Sequence, residues 1–341
     1  MTVLESRPMV DTTHPLGRPK HFLRVQLPDT TRYRTGDHLA VLAHNPPELV
    51  TRVVERLGLD PDAEVTVRTS SWGAGSLPTD RPVTVAVLLR DYVELQRPAS
   101  RADVERLAAA CPCPPERAPL DRLATSSDGD FADTVTARSV TVLDLLEQYR
   151  SVEMTVESLV GLLPAAEPRR YSISSSPRTD PHTIDLMVSV VDSPHRADPE
   201  ATRYRGVTSC HLAGLVAGDT IAARVVPCDD RFRLPLDQRA IVVAAGTGLA
   251  PFRGMVADRR DPVADTPPSA PLTLYFGCDH PDVDFLHRTE LEEAEREGVV
   301  SLRPAYTYVP VDGHRFAQDR MVADADHVWS ELQRGAHLRV C

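Results

Sequence analysis

The last third of the chain constrains the fold most. After residue 236 an apolar run at 240–245 leads into the turn Gly246-Thr247-Gly248 and a helical pattern. An apolar run at 272–276, an acidic helical stretch at 284–297 and a further apolar run at 299–305 follow. Apolar strands that alternate with helix-length crossovers build a parallel, doubly wound sheet. Residues 261–271, rich in Pro, Asp and Ala, read as a surface loop within it.

Upstream the pattern is different. Residues 22–27 partly alternate apolar with polar, and Tyr33-Arg34-Thr35-Gly36-Asp37-His38 turns into the apolar run 39–42, as antiparallel strands require. From Pro46 the period lengthens: Glu48, Val50, Val53, Val54 and Leu57 predict a helix closed by Gly58, with further helices near 102–110 and 140–149. Strands resume at 171–174, 184–191 and 220–226, and residues 206–215 read as a turn followed by a short helix. The expected fold is therefore α/β and all-β in several domains. Residues 1–45 and 166–236 form an antiparallel barrel interrupted by a helical insertion over 46–165, and 237–341 form the parallel-sheet domain. Residues 66–81, with Trp72-Gly73-Ala74-Gly75, read as a loop rather than a phosphate cradle.

Composition removes several function classes. At roughly 150 residues per domain, 341 residues make about two or three folding units. No apolar run reaches the ~18 residues of a membrane helix. A net charge of −11 argues against a nucleic-acid binder, and the chain has a single Lys, Lys20. Six cysteines, two of them in Cys111-Pro112-Cys113, are too sparse for a disulfide framework and lack zinc spacing; twelve histidines show no carboxylate-backed metal pattern. No metal is expected. The amino terminus has no secretory pattern, so the expected location is cytoplasmic.

The segment Arg169-Arg170-Tyr171-Ser172-Ile173-Ser174-Ser175-Ser176-Pro177 concentrates a cation, a flat ring and hydroxyls on one strand. Those parts suit a flavin: guanidinium for pyrophosphate, ring for stacking, hydroxyl for the redox edge. Gly206-Val207-Thr208-Ser209 opens a helix, whose free amides and hydroxyls suit a diphosphate. At Gly246-Thr247-Gly248 the missing side chains let a nucleotide approach the backbone, with Thr247 near its diphosphate.

Together these strings resemble the diflavin reductase family of the ferredoxin-NADP reductase superfamily. Tyr33-x-x-Gly36-Asp37-His38, Cys113-Pro114-Pro115, the run from Ala245 through Gly254 and Tyr275-Phe276-Gly277-Cys278 extend the resemblance from about residue 15 to the last residue. The chain is most similar to the FAD/NADPH reductase part of fused, self-sufficient cytochrome P450 enzymes. The resemblance implies FAD and NADPH as cofactors, with FMN only in a partner or missing flavodoxin-like domain, and a heme protein, a P450 in cis, as final partner. It implies that Arg169, with Arg170 beside it, binds the FAD pyrophosphate, that Tyr171 stacks on the isoalloxazine and that Ser172 hydrogen-bonds near its N5. Met187, Val188 and Ser189 match the segment whose backbone meets the ring. The family's Ser-Arg pair for the nucleotide 2′-phosphate falls on Thr307 and Tyr308, and its Lys-x-Tyr-x-Gln falls on His314, Arg315, Phe316, Ala317 and Gln318. Arg315 is then the substitute cation. Cys341 aligns with the cysteine beside the nicotinamide, making Ser172 and Cys341 the catalytic candidates. The family's insertion-domain arginine falls at Ser139, beside Arg138, and carries no assignment. By the same resemblance the chain reads as truncated at both ends, with the parallel sheet lacking its last strand. A sulfite reductase flavoprotein module, or an FAD-binding fragment without catalysis, is the alternative.

Overall fold

The computed structural model describes residues 1–67, 78, 81–194, 203–260 and 271–341. The glycine-containing loop at 72–75 and nearly all of the loop expected at 261–271 lie outside the described residues. Among the described residues the main strands are β1 (Thr2–Pro8), β2 (Lys20–Gln26), β3 (His38–Leu42), β4 (Arg169–Ser172), β5 (Thr183–Ser189), β6 (Ala222–Val226), β7 (Ala240–Ala245), β8 (Leu272–Cys278), β9 (Val300–Tyr306) and β10 (His337–Val340). The chain divides into two units. One comprises residues 1–41, 169–190 and 209–341, the other 42–168 and 191–208.

In the first unit β1, β2 and β5 form one three-stranded sheet and β6, β3 and β4 another. Isolated bridges join them: Thr2 pairs with Thr220, and Ile173, just past β4, pairs with Leu186 of β5. Between them lies a core of Val3, Leu23, Val25, Leu39, Val41, Ile173, Ile184, Leu186 and Val188. The turn before β3 closes because Gly36 takes φ +89°, open to glycine at little cost. The buried Asp37 carboxylate accepts from the Arg34 amide at 2.8 Å, the Cys228 amide at 3.1 Å and the Arg233 guanidinium at 2.5 Å. A buried carboxylate this well bonded pins the turn to the chain that follows β6.

The same unit holds the parallel sheet, in the order β9-β8-β7-β10, with every pair parallel. β8 is buried along its whole length, as a strand covered on both faces must be. The core residue Val10 and Met187 of β5 join the apolar cluster of this sheet, so β5 feeds both cores: Met187 one, Val188 the other. That is the alternation a pleated strand provides.

The second unit is mainly helical. Its helices include α1 (Pro47–Leu57), α2 (Val85–Asp91), α3 (Arg101–Ala109), α4 (Pro114–Ala124), α5 (Val142–Gln148) and α6 (Val156–Leu162). The first begins with Pro at its amino end and stops at Gly58, φ +61°. Ser100 with Asp103 and Thr141 with Asp144 make capping boxes that start α3 and α5. Leu89, Val104, Leu107, Leu120, Val135 and Leu146 centre its core. Cys111 is buried and Cys113 precedes α4; both are free thiols. Among the described residues no helix is long and apolar enough to cross a membrane.

Candidate functional site

β4 is paired antiparallel to β3, with Ser172 opposite His38, Tyr171 opposite Leu39, Ala40 opposite Arg170 and Val41 opposite Arg169. The strand period puts Arg169 and Tyr171 on one face and Arg170 and Ser172 on the other. Both arginines are exposed; Tyr171 and Ser172 are half-buried. Burial pushes the Tyr171 phenol up to about 12, against a smaller opposing pull from Arg169, so the ring is neutral at physiological pH. On the other face burial, helped by Arg170, holds His38 below the usual imidazole range, and its Nδ1 is buried without a hydrogen-bond partner. An orphaned buried nitrogen beside the Ser172 position fits a site that a polar ligand completes.

The three serines that follow do something else. Ser174 and Ser176 are fully buried. Ser175 bonds the Tyr33 hydroxyl at 3.0 Å and accepts from the Asp185 amide at 3.0 Å, while Ser176 donates to Asp258. The hydroxyls of Ser175 and Ser176 are thus committed within the protein, while that of Ser174 is buried without a hydrogen-bond partner.

β5 ends at the second half of the site. Met187 and Val188 bury their side chains, leaving only backbone for a ligand, and exposed Ser189 bonds Thr247 through the two hydroxyls at 2.9 Å. Thr247 belongs to the turn after β7, where Gly246 takes φ +52°. A Cβ on Gly248 would lie 2.6 Å from the Cys341 carbonyl oxygen, so that turn admits only glycine under Cys341. Cys341 follows β10 directly, its amide bonded to the Val243 carbonyl at 3.0 Å.

A cleft of about 410 Å³ opens beside this turn and gathers Ser189, Gly246, Thr307, Arg315, Phe316 and Gln318. Arg315 donates through Nε to the Thr307 carbonyl at 3.2 Å, so the substitute cation is held where the sequence puts the 2′-phosphate. Tyr308 is half exposed and does not line the cleft. Lys20 does, a residue that sequence reasoning notes only as the single lysine: its ammonium bonds buried Asp284 at 3.1 Å, and its Cε lies 3.6 Å from where a Cβ on Gly246 would be. A cation, open glycine backbone and hydroxyls in one cleft fit a nucleotide diphosphate. Gly206 precedes α7 (Val207–Gly214), and Thr208 and Ser209 in its first turn are buried.

A charge network centred on buried Asp185 ties β2 and β5 to helices of the parallel-sheet region. Arg253 lies on α8 (Ala250–Arg260), and Glu290 on α9 (Arg288–Arg296). Arg253 donates to Glu290 and to Asp185 at 2.9 Å each, and Arg24 holds Asp185 with two bonds at 2.7 and 3.0 Å. Burial favours the neutral Glu290 carboxyl, but His287 and Arg253 outweigh it and bring it down to about 2. A carboxyl depressed in the fold stabilises it above its ordinary range near 4.5, and that contribution fades as pH falls towards 2. Glu290→Gln should therefore cost about 3 kcal/mol at pH 7 and much less at pH 3. Urea unfolding at both pH values measures this; an equal cost at both would remove the ion pairing.

Residues 22–211 match the FAD binding domain family, more than half of the chain. The chain belongs to that family. Residues 242–341 match the oxidoreductase NAD-binding domain. Over 341 residues the chain is 38% identical to bifunctional cytochrome P450/NADPH–P450 reductase 2 of Bacillus subtilis, covering 99% of this chain and 32% of the relative. A bifunctional cytochrome P450/NADPH–P450 reductase of Bacillus cereus is 35% identical, covering 100% and 32%. A self-sufficient cytochrome P450 monooxygenase of Penicillium expansum is 36% identical, covering 96% and 31%. The chain spans about a third of the length of these relatives. The FAD-binding match covers Arg169, Tyr171 and Ser172, and the NAD-binding match covers the cleft residues from Gly246 through Gln318.

Proposed function

We propose that this chain is an NADPH-dependent, FAD-containing reductase module that serves an FMN-bearing domain and, beyond it, a cytochrome P450. A bound FAD would supply the conversion between two-electron hydride chemistry and one-electron transfer. The protein's own contribution is to hold and orient. In this reading Arg169 and Arg170 hold the FAD pyrophosphate, Tyr171 covers the ring, and the backbone of Met187, Val188 and Ser189 borders it. Ser172 and Cys341 would be the side chains that assist hydride transfer between the two bound cofactors. Gly246, Thr247 and Gly248 receive the nucleotide diphosphate, and Thr307, Tyr308, Arg315, Phe316 and Gln318 its adenosine end. We read the two bridged sheets as parts of an antiparallel barrel assigned to residues 1–45 and 166–236, with 46–165 inserted between them in sequence and the nucleotide domain at 237–341.

One observation carries most of this reading: Ser189, at the end of a strand expected to border flavin, is bonded to Thr247 of the nucleotide turn, beside the cleft that gathers Thr307 and Arg315. The test is kcat/KM for NADPH and NADH in a form carrying FAD. NADPH should be preferred, and Arg315→Ala should raise KM for NADPH about tenfold, as loss of one charge-assisted phosphate contact implies, while leaving NADH nearly unchanged. Clear NADH preference in the parent protein would overturn the assignment of Arg315.

A further inference from the structure

Three consecutive serines after β4 meet one helix, α8, through three different kinds of contact. The Ser174 carbonyl accepts from Arg253 Nη1 at 3.1 Å, and the same guanidinium holds Asp185 and Glu290. At Ser175 the approach is backbone to helix: a Cβ on Gly254 would lie 2.8 Å from the Ser175 carbonyl oxygen and 3.1 Å from the Thr35 methyl. Ser176 donates its hydroxyl to Asp258. Ser174, Ser176, Asp185 and Gly254 are buried, and the Arg253 side chain is 13% exposed.

The seam has a particular place in the chain. Ser174 comes two residues after Ser172, and α8 starts two residues after Gly248. Its two sides are therefore the direct continuations of the strand assigned to the flavin and of the turn assigned to the nucleotide. A guanidinium fork with three partners on three elements fixes direction as well as distance, and a contact that only glycine permits fixes how near the helix can come.

We propose that this seam is a register device: Arg253 and Gly254 are positioning residues that set the spacing between the flavin-bearing strand and the nucleotide turn. The inference rests on the function proposed above. Neither residue lines the nucleotide cleft. Loss of the seam is thus expected to spare the binding of each cofactor while spoiling their mutual placement, since a displacement of about 1 Å at a reacting centre costs on the order of a hundredfold in rate.

The test uses the full chain and the variants Arg253→Lys, which keeps the charge but loses the fork, and Gly254→Ala. FAD and NADP⁺ affinities are measured by calorimetry, the limiting rate of anaerobic flavin bleaching by NADPH in a stopped-flow instrument, and amide exchange along residues 172–176 and 246–254. Both variants should bind each cofactor within about threefold of the parent, bleach at least tenfold more slowly at saturating NADPH, and exchange faster at Ser174, whose amide bonds the Asp185 carbonyl at 2.8 Å. A variant that folds, binds and bleaches like the parent overturns the proposal, as does a rate loss explained wholly by weaker binding. If the parent takes up no FAD, the functional reading fails by itself. The seam is then judged on exchange alone: faster exchange on both sides in Arg253→Lys supports a register device, and unchanged exchange refutes it.

Discussion

Tyr171→Ala should leave a folded protein that binds FAD about a hundredfold more weakly and loses most of its colour on gel filtration. Removing a half-buried aromatic platform forfeits stacking and apolar contact worth roughly 2–3 kcal/mol, which is a factor of about 30 to 150 in Kd. Tyr171→Phe should retain most of the affinity, because the neutral ring supplies the surface. The ring also touches the core around Ile173 and Leu39, so the Ala variant will lose some stability, and circular dichroism must first show it folded. Affinity is read by calorimetry. An Ala variant that binds FAD like the parent would move the flavin away from β4.

Ser172→Ala should act on rate rather than on binding. Its hydroxyl has no protein partner among the described residues, and it faces His38 across the β3–β4 ladder. In the proposed reading this hydroxyl stands near the flavin N5, and a bond made there matters chiefly in the transition state. Its removal is expected to slow anaerobic flavin reduction by about ten- to a hundredfold with FAD content preserved. Stopped-flow bleaching by NADPH reads the rate and the visible spectrum reads the content. An unchanged rate would take Ser172 out of the mechanism; loss of FAD would make it a binding residue instead.

The parallel sheet was the most legible part of the fold. Its strands are apolar throughout and its crossovers have helical length, so β7, β8 and β9 fall within a residue or two of the runs that announce them. Helix α1 was equally plain, with Pro at one end and Gly58 at the other. β1 left almost no trace, because it is a mostly polar edge strand with a register shift between Val3 and Glu5 and only Val3 buried. Helix α4 was hidden by its prolines, Pro114 and Pro115 at its start and Pro119 inside it, which argue against a helix anywhere but its first turn.

In the candidate site, motif residues that lie close together in sequence were readable; pairings across long separations were not. Lys20 and Asp284 are 264 residues apart, and nothing local to either announces a buried ion pair. Arg253 stands inside a motif, but its three partners come from β5, α9 and the segment that follows β4. In the serine run the hydroxyls were visible, but the partners of Ser175 and Ser176, Tyr33 and Asp258, lie far away in sequence.

FAD binding itself is the most direct test. Purified, folded protein stripped of small molecules and titrated with FAD in a calorimeter should take up one equivalent, turn yellow, and bleach when NADPH is added without oxygen. Folded protein that stays colourless and gives no heat with FAD would contradict the account at its base.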